Sequence, residues 1–137
     1  KSVPRMGWIL GFASMASLGL PGLAGFWGEF PAILSAYNPG AGLPEETFRT
    51  YMVIAALGTV LAAGYLLWLY QRTAFGEPPE EFADYEIDDV NRFEWIAWTP
   101  FLVGILLFGI WPNLIFNVTD DVVTGITASV EAIATGR

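Results

Sequence analysis

The sequence predicts an all-α fold, an integral membrane helical bundle fragment with about three transmembrane helices, the first broken at Leu20-Pro21-Gly22. Three observations predict it. Of 137 residues, 54% are hydrophobic and only 15% charged, whereas ordinary soluble domains carry about 25% charged residues. The few charges are segregated: none lies between Met52 and Gln71, none between Trp95 and Val118, and Glu29 alone between Met6 and Tyr37. Apolar runs of about 18 residues or more, wound as helices, are long enough to cross a hydrocarbon core about 30 Å thick.

The first element covers about residues 7–37. As one straight helix it would be about 47 Å long, well beyond the hydrocarbon thickness. Its middle reads Leu18-Gly19-Leu20-Pro21-Gly22. Pro21 has no amide for the carbonyl four residues back, and the flanking glycines weaken the helix further. Irregular backbone at membrane depth survives only where protein or a watery cavity satisfies it. Two half-helices, about 7–20 and 23–37, are one reading; a single kinked helix, or a span followed by an interfacial helix, is the other.

Residues 38–50 are rich in Gly and Pro and form a loop. The second element, about 49–74, is a plain span in which Gly58, Ala62, Ala63 and Gly64 permit close helix contact. Tyr65, Trp68 and Tyr70 near its end suit the bilayer interface. An acidic loop follows over 75–92, with Glu77, Glu80, Glu81, Asp84, Glu86, Asp88 and Asp89 and without the spacing or turn glycine of a calcium loop. The third span, about 93–116, has Trp95 and Trp98 at one end and Trp111 at the other, with Pro100 placed in its first turns. The tail, 117–137, repeats Val118, Val122, Val123, Ile126, Val130 and Ile133 at helical spacing against Asp120, Asp121, Thr124, Ser129 and Glu131, which makes it an amphipathic helix. The chain as a whole, 1–137, reads as the C-terminal fragment of one larger membrane subunit.

Charge and composition exclude several functions. The 14 acidic and 6 basic residues give a net charge of −8, the opposite of a nucleic-acid-binding surface. Cys and His are absent, which removes thiol chemistry, iron–sulfur ligation and the commonest metal ligand. No cofactor is expected in this chain. Three spans put the termini on opposite sides. Lys1, Arg5, Arg72 and Arg92 then share one side, against Arg49 and Arg137 on the other. The positive-inside rule places the N-terminus and the 75–92 loop in the cytoplasm and the C-terminus outside.

Glu29 is the one ionisable side chain inside a predicted span, eight residues past Pro21. A carboxylate in hydrocarbon becomes protonated, finds a partner or touches water. That makes Glu29 a proton-relay position; the competing reading is an inert group that snorkels to an interface or caps a helix. Arg72, at a span end beside Gln71 and Tyr70, is either a snorkelling anchor or a supporting charge. The hydroxyls of Ser14, Ser17 and Thr59 are expected to bond to their own backbone.

The run Leu18-Gly19-Leu20-Pro21-Gly22-Leu23-Ala24-Gly25-Phe26-Trp27-Gly28-Glu29-Phe30 resembles the antiporter-like subunits of respiratory complex I, the proton-pumping NADH–quinone oxidoreductases. Tyr65-Leu66-Leu67-Trp68-Leu69-Tyr70-Gln71-Arg72-Thr73-Ala74-Phe75-Gly76 resembles their penultimate helix, and Phe108-Gly109-Ile110-Trp111-Pro112 the end of their last. In these subunits the helix after the Leu-Pro-Gly break carries Lys in types L and N and Glu in type M, so Glu29 points to type M. The resemblance implies a longer subunit in two inverted repeats, of which the last three helices are present and the first of the three is broken. It implies that Glu29 is the outer station of a proton path whose earlier groups, a Glu–Lys pair and a central Lys, lie on absent helices. It implies redox cofactors in other subunits, and as partners the other membrane subunits, the lipid bilayer, protons and channel water. A multi-subunit cation/proton antiporter, a membrane-bound hydrogenase and a structural membrane anchor are the alternatives.

Overall fold

The computed structural model describes residues 3–40, 42–76, 79–80 and 88–135. Among these it forms five helices, α1 (Pro4–Ser17), α2 (Ala24–Ser35), α3 (Glu45–Ala74), α4 (Arg92–Ile110) and α5 (Asn113–Thr135), and no strand. Half of the acidic loop, with Glu77, Glu81, Asp84 and Glu86, lies outside the described residues, as do Lys1 and Arg137.

The apolar stretch at the start is a broken helix. After Ser17 the Leu18 amide still reaches the Ser14 carbonyl at 3.1 Å, and the Gly19 amide turns back to Ala16 at 3.2 Å. Gly19 stands at φ 64° and Gly22 at φ 92°, a region that glycine enters without the Cβ clash other residues meet. Pro21 lies between them and cannot donate. Leu23 is extended, at φ −113° and ψ 153°, and α2 starts at Ala24. A second proline, Pro31, sits inside α2. It leaves the Trp27 carbonyl without its usual helical donor.

α3 begins at Glu45, ahead of the expected start near 49, because Glu45 and Glu46 occupy its first turn, where carboxylates meet the positive end of the helix dipole. Arg49 pairs with Glu45 at 2.9 Å across one turn. α4 opens on a reciprocal cap: the Asn91 side chain accepts from the Glu94 amide at 2.9 Å and the Glu94 carboxylate from the Asn91 amide at 2.8 Å. Two expectations for this helix are corrected. It ends at Ile110, not near 116, because Trp111, held out of the α region by Pro112, takes φ −118° and ψ 70°. Pro100 lies well inside the helix and not in its first turns. The amphipathic helix α5 accordingly begins at Asn113.

α3 and α4 are each long and apolar enough to cross a membrane. α1 and α2, of 14 and 12 residues, reach only about 21 and 18 Å at 1.5 Å per residue, so neither crosses alone. α1 packs on the C-terminal part of α3, where the Tyr70 ring lies over Gly11 and leaves no room for a Cβ. The most extensive contact is between α2 and α4. The described residues bury little: Ile9, Val90 and Ser14 are enclosed, while Leu57, Leu61, Phe93, Phe101 and many other large apolar side chains are exposed. That is the surface of a helix bundle made to meet lipid or other helices, not water.

Asp89 ties the N-terminus of α4 to that of α1. Its carboxylate oxygens accept from the Arg5 amide at 3.0 Å, the Met6 amide at 3.1 Å and the Val90 amide at 2.8 Å, and the Arg5 guanidinium donates to the Val90 carbonyl at 3.1 Å. α1 has no side-chain cap from its own N-cap, Val3; Asp89 supplies the acceptor from the far end of the sequence. Desolvation acts to raise the Asp89 carboxyl, but the amides of Arg5, Val90 and Met6 and the Arg5 charge together hold it below its ordinary value of 3.8. A folded-state value below the unfolded one means the cap is in force above the ordinary value and is lost as pH falls through the folded one. Amide-exchange protection factors at Arg5 and Met6 are therefore expected to hold at neutral pH and to collapse in acid ahead of the rest of α1. Asp89→Ala is expected to abolish them at every pH, and protection that survives this substitution contradicts the cap.

Candidate functional site

The helix break sets the geometry of the site. α2 leaves it with Gly25 pressed on the Ala16 carbonyl and 3.5 Å, measured from an ideal Cβ position, from the Gly19 Cα. A larger residue at position 25 would hold the half-helices apart. Five residues past the start of α2, Glu29 folds back toward the break: a Cβ on Gly19 would stand 2.9 Å from a Glu29 carboxylate oxygen. The carboxyl group thus sits over a residue that has left-handed backbone and no side chain to displace it.

Glu29 also borders a groove of about 410 Å³ between α2 and α3, lined on one side by Gly28, Glu29, Ala32 and Ile33 and on the other by Ala55, Gly58, Thr59 and Ala62. The small residues make the space, and Glu29 and Thr59 are its polar members. The Thr59 hydroxyl donates to the Ala55 carbonyl at 3.1 Å, and the Ser14 hydroxyl to Leu10 at 2.8 Å, so both bond within their own helices as expected. Glu29 is exposed among the described residues.

The structure brings Leu20, Pro21, Gly22 and Glu29 to one end of α2. It does not bring Arg72 to them. The Arg72 guanidinium lies 5.0 Å above the Trp68 ring in the last turn of α3, away from the groove-lining residues. Among the described residues no cluster of three or more His, Cys, Asp or Glu is placed to hold a metal ion.

Sequence reasoning passed over Trp27. Its indole Nε1 donates to the Gly109 carbonyl at 2.8 Å. Position 109 has no room for a side chain, because a Cβ there would run into the Gly22 carbonyl and sit 2.5 Å from the Leu23 Cα. The end of α4 therefore rests directly on the backbone of the break. A half-buried tryptophan usually finds a partner for its N–H, but nothing in the sequence pointed to a carbonyl 82 residues away.

A broken apolar helix with an acidic residue just past the interruption, packed against two membrane-length helices, defines a segment of a multi-helix membrane subunit. No protein-family model matches the chain, and no solved structure matches it. Curated relatives do. The chain is 32% identical to NADH-ubiquinone oxidoreductase chain 4 of Marchantia polymorpha, over 83% of this chain and 21% of that protein. It is 34% identical to NADH-quinone oxidoreductase subunit M of Rhodobacter capsulatus, over 82% and 20%, and 33% identical to F(420)H(2) dehydrogenase subunit M of Methanosarcina mazei, over 85% and 22%. Over most of its length the chain is similar to this subunit M, or chain 4, group of membrane subunits. It spans about a fifth of the length of the curated relatives it matches.

Proposed function

We propose that the chain is part of a proton-translocating membrane subunit of an NADH–quinone oxidoreductase, in which quinone reduction elsewhere in the complex drives proton transfer through a hydrated channel. One observation carries this reading: the Glu29 carboxyl group stands over the break between α1 and α2 and opens onto the groove beside α3. A carboxyl group at membrane depth beside unpaired backbone is where confined water can reach it. Glu29 would take a proton from the channel and release it outward, its charge set by water access and by ionisable groups on helices outside this segment. The half-helices α1 and α2 would together make one crossing and α3 and α4 two more, with the N-terminus and the 75–92 loop cytoplasmic. The redox cofactors would sit in other subunits. The name of the Methanosarcina relative supports a variant of this reading in which the electron donor is F(420)H(2) and the role of Glu29 is unchanged.

The test is Glu29→Gln in the complete complex. Proton translocation is expected to slow by about a hundredfold, the low end of what a positioned proton-transfer group contributes, with assembly intact, and Glu29→Asp to retain more activity than Glu29→Gln. Near-normal pumping by an assembled Glu29→Gln complex would falsify the relay.

A further inference from the structure

α2 has little of its own to hold it in place. It buries no residue, gets no side-chain cap from its N-cap residue Leu23 and contains Pro31. Its orientation rests on what its side chains grip, and Trp27 reaches both α4 and α5. Besides its bond to Gly109, the indole meets Phe116 of α5 edge-on at 6.1 Å and Phe26 edge-on at 5.3 Å. The acceptor is free because of Pro112. In a continuous helix the Gly109 carbonyl would take the amide of residue 113, but α4 stops at Ile110 and residue 113 starts another helix. Trp27 and Glu29 are two positions apart, about 200° around a helix of 3.6 residues per turn, so they occupy opposite faces of α2. A grip on one face sets the rotation at which the other presents its carboxylate over Gly19.

We propose that Trp27 is a positioning residue for Glu29: its indole N–H, seated on the Gly109 carbonyl, fixes the tilt and rotation of α2 and thereby the place of the carboxyl group at the break. This rests on the reading of Glu29 as the relay. Losing the bond leaves α2 attached through Gly25 and the aromatic contacts but lets it turn, so the carboxyl group samples positions off the water path.

The test replaces Trp27 in the complete complex with benzothienylalanine, which keeps the shape of the ring and lacks the N–H. Protons moved per electron are measured from acid to alkaline pH, beside quinone reduction. The expected result is normal assembly, a two- to tenfold lower proton yield, on the order of one neutral hydrogen bond, and a displaced pH profile. A yield and profile matching the natural residue overturn the proposal. Loss of assembly also overturns it, since the bond would then be structural. Phe116→Leu keeps the N–H and removes the edge contact; the same displacement there would assign the effect to packing and overturn the proposal too. Glu29→Gln separates the two readings. Normal pumping by that variant defeats the relay, whereas its inactivity beside an unaltered benzothienylalanine complex defeats the positioning role alone.

Discussion

Gly109→Val is expected to force α4 off the helix break and to destabilise the subunit by about 1–3 kcal/mol or more, the usual cost of overpacking. The obstruction is backbone on both sides. A Cβ at 109 runs into the Gly22 carbonyl and the Leu23 Cα, and neither can swing away as a side-chain tip would. Separation of α4 from α2 also breaks the Trp27 bond and the aromatic contact with Phe116. The denaturation midpoint of the complex in detergent measures the effect. Gly104→Val is the control, because a Cβ there meets nothing nearer than Phe108 at 4.0 Å. Equal midpoints for the two variants would show that α4 does not seat on the break.

Gly19→Ala and Gly22→Ala form the second pair. Both glycines hold positive φ, 64° and 92°, so either substitution meets a backbone cost of about 1–2 kcal/mol. The neighbourhoods differ. A Cβ at position 22 meets nothing within 4 Å, whereas one at position 19 stands 2.9 Å from the Glu29 carboxylate oxygen. The two variants are expected to lose similar stability, while proton translocation falls several-fold further in Gly19→Ala. Gly19→Val adds a β-branched side chain at a left-handed position and is expected to lose both. Equal translocation by the two alanine variants would mean that the place of the carboxyl group at the break has no bearing on activity.

How far the sequence reached depended on whether a feature had a local cause. The break was legible because Pro21 lacks a donor and Gly19 and Gly22 tolerate positive φ, all within four residues. The end of α4 was misplaced because the apolar run continues through Phe116, and hydropathy outweighed Pro112, whose restriction on Trp111 decides the matter. The Asn91-x-x-Glu94 cap had a sequence signal that went unused. Trp27 on Gly109 and Asp89 on α1 join residues more than 80 positions apart, and no periodicity encodes them. Glu29 was found because a lone charge in a long apolar run costs free energy unless something answers it.

A relay role for Glu29 requires its carboxyl group to change protonation while the complex works. Infrared difference spectra of the complete complex during quinone reduction, in water and in heavy water, address this directly, with Glu29→Gln to assign the band. A carboxyl band that appears and vanishes in turnover, shifts with the isotope and is missing from Glu29→Gln is the result expected. Spectra from which Glu29→Gln removes nothing would contradict it, leaving Glu29 a bystander at the edge of a broken helix.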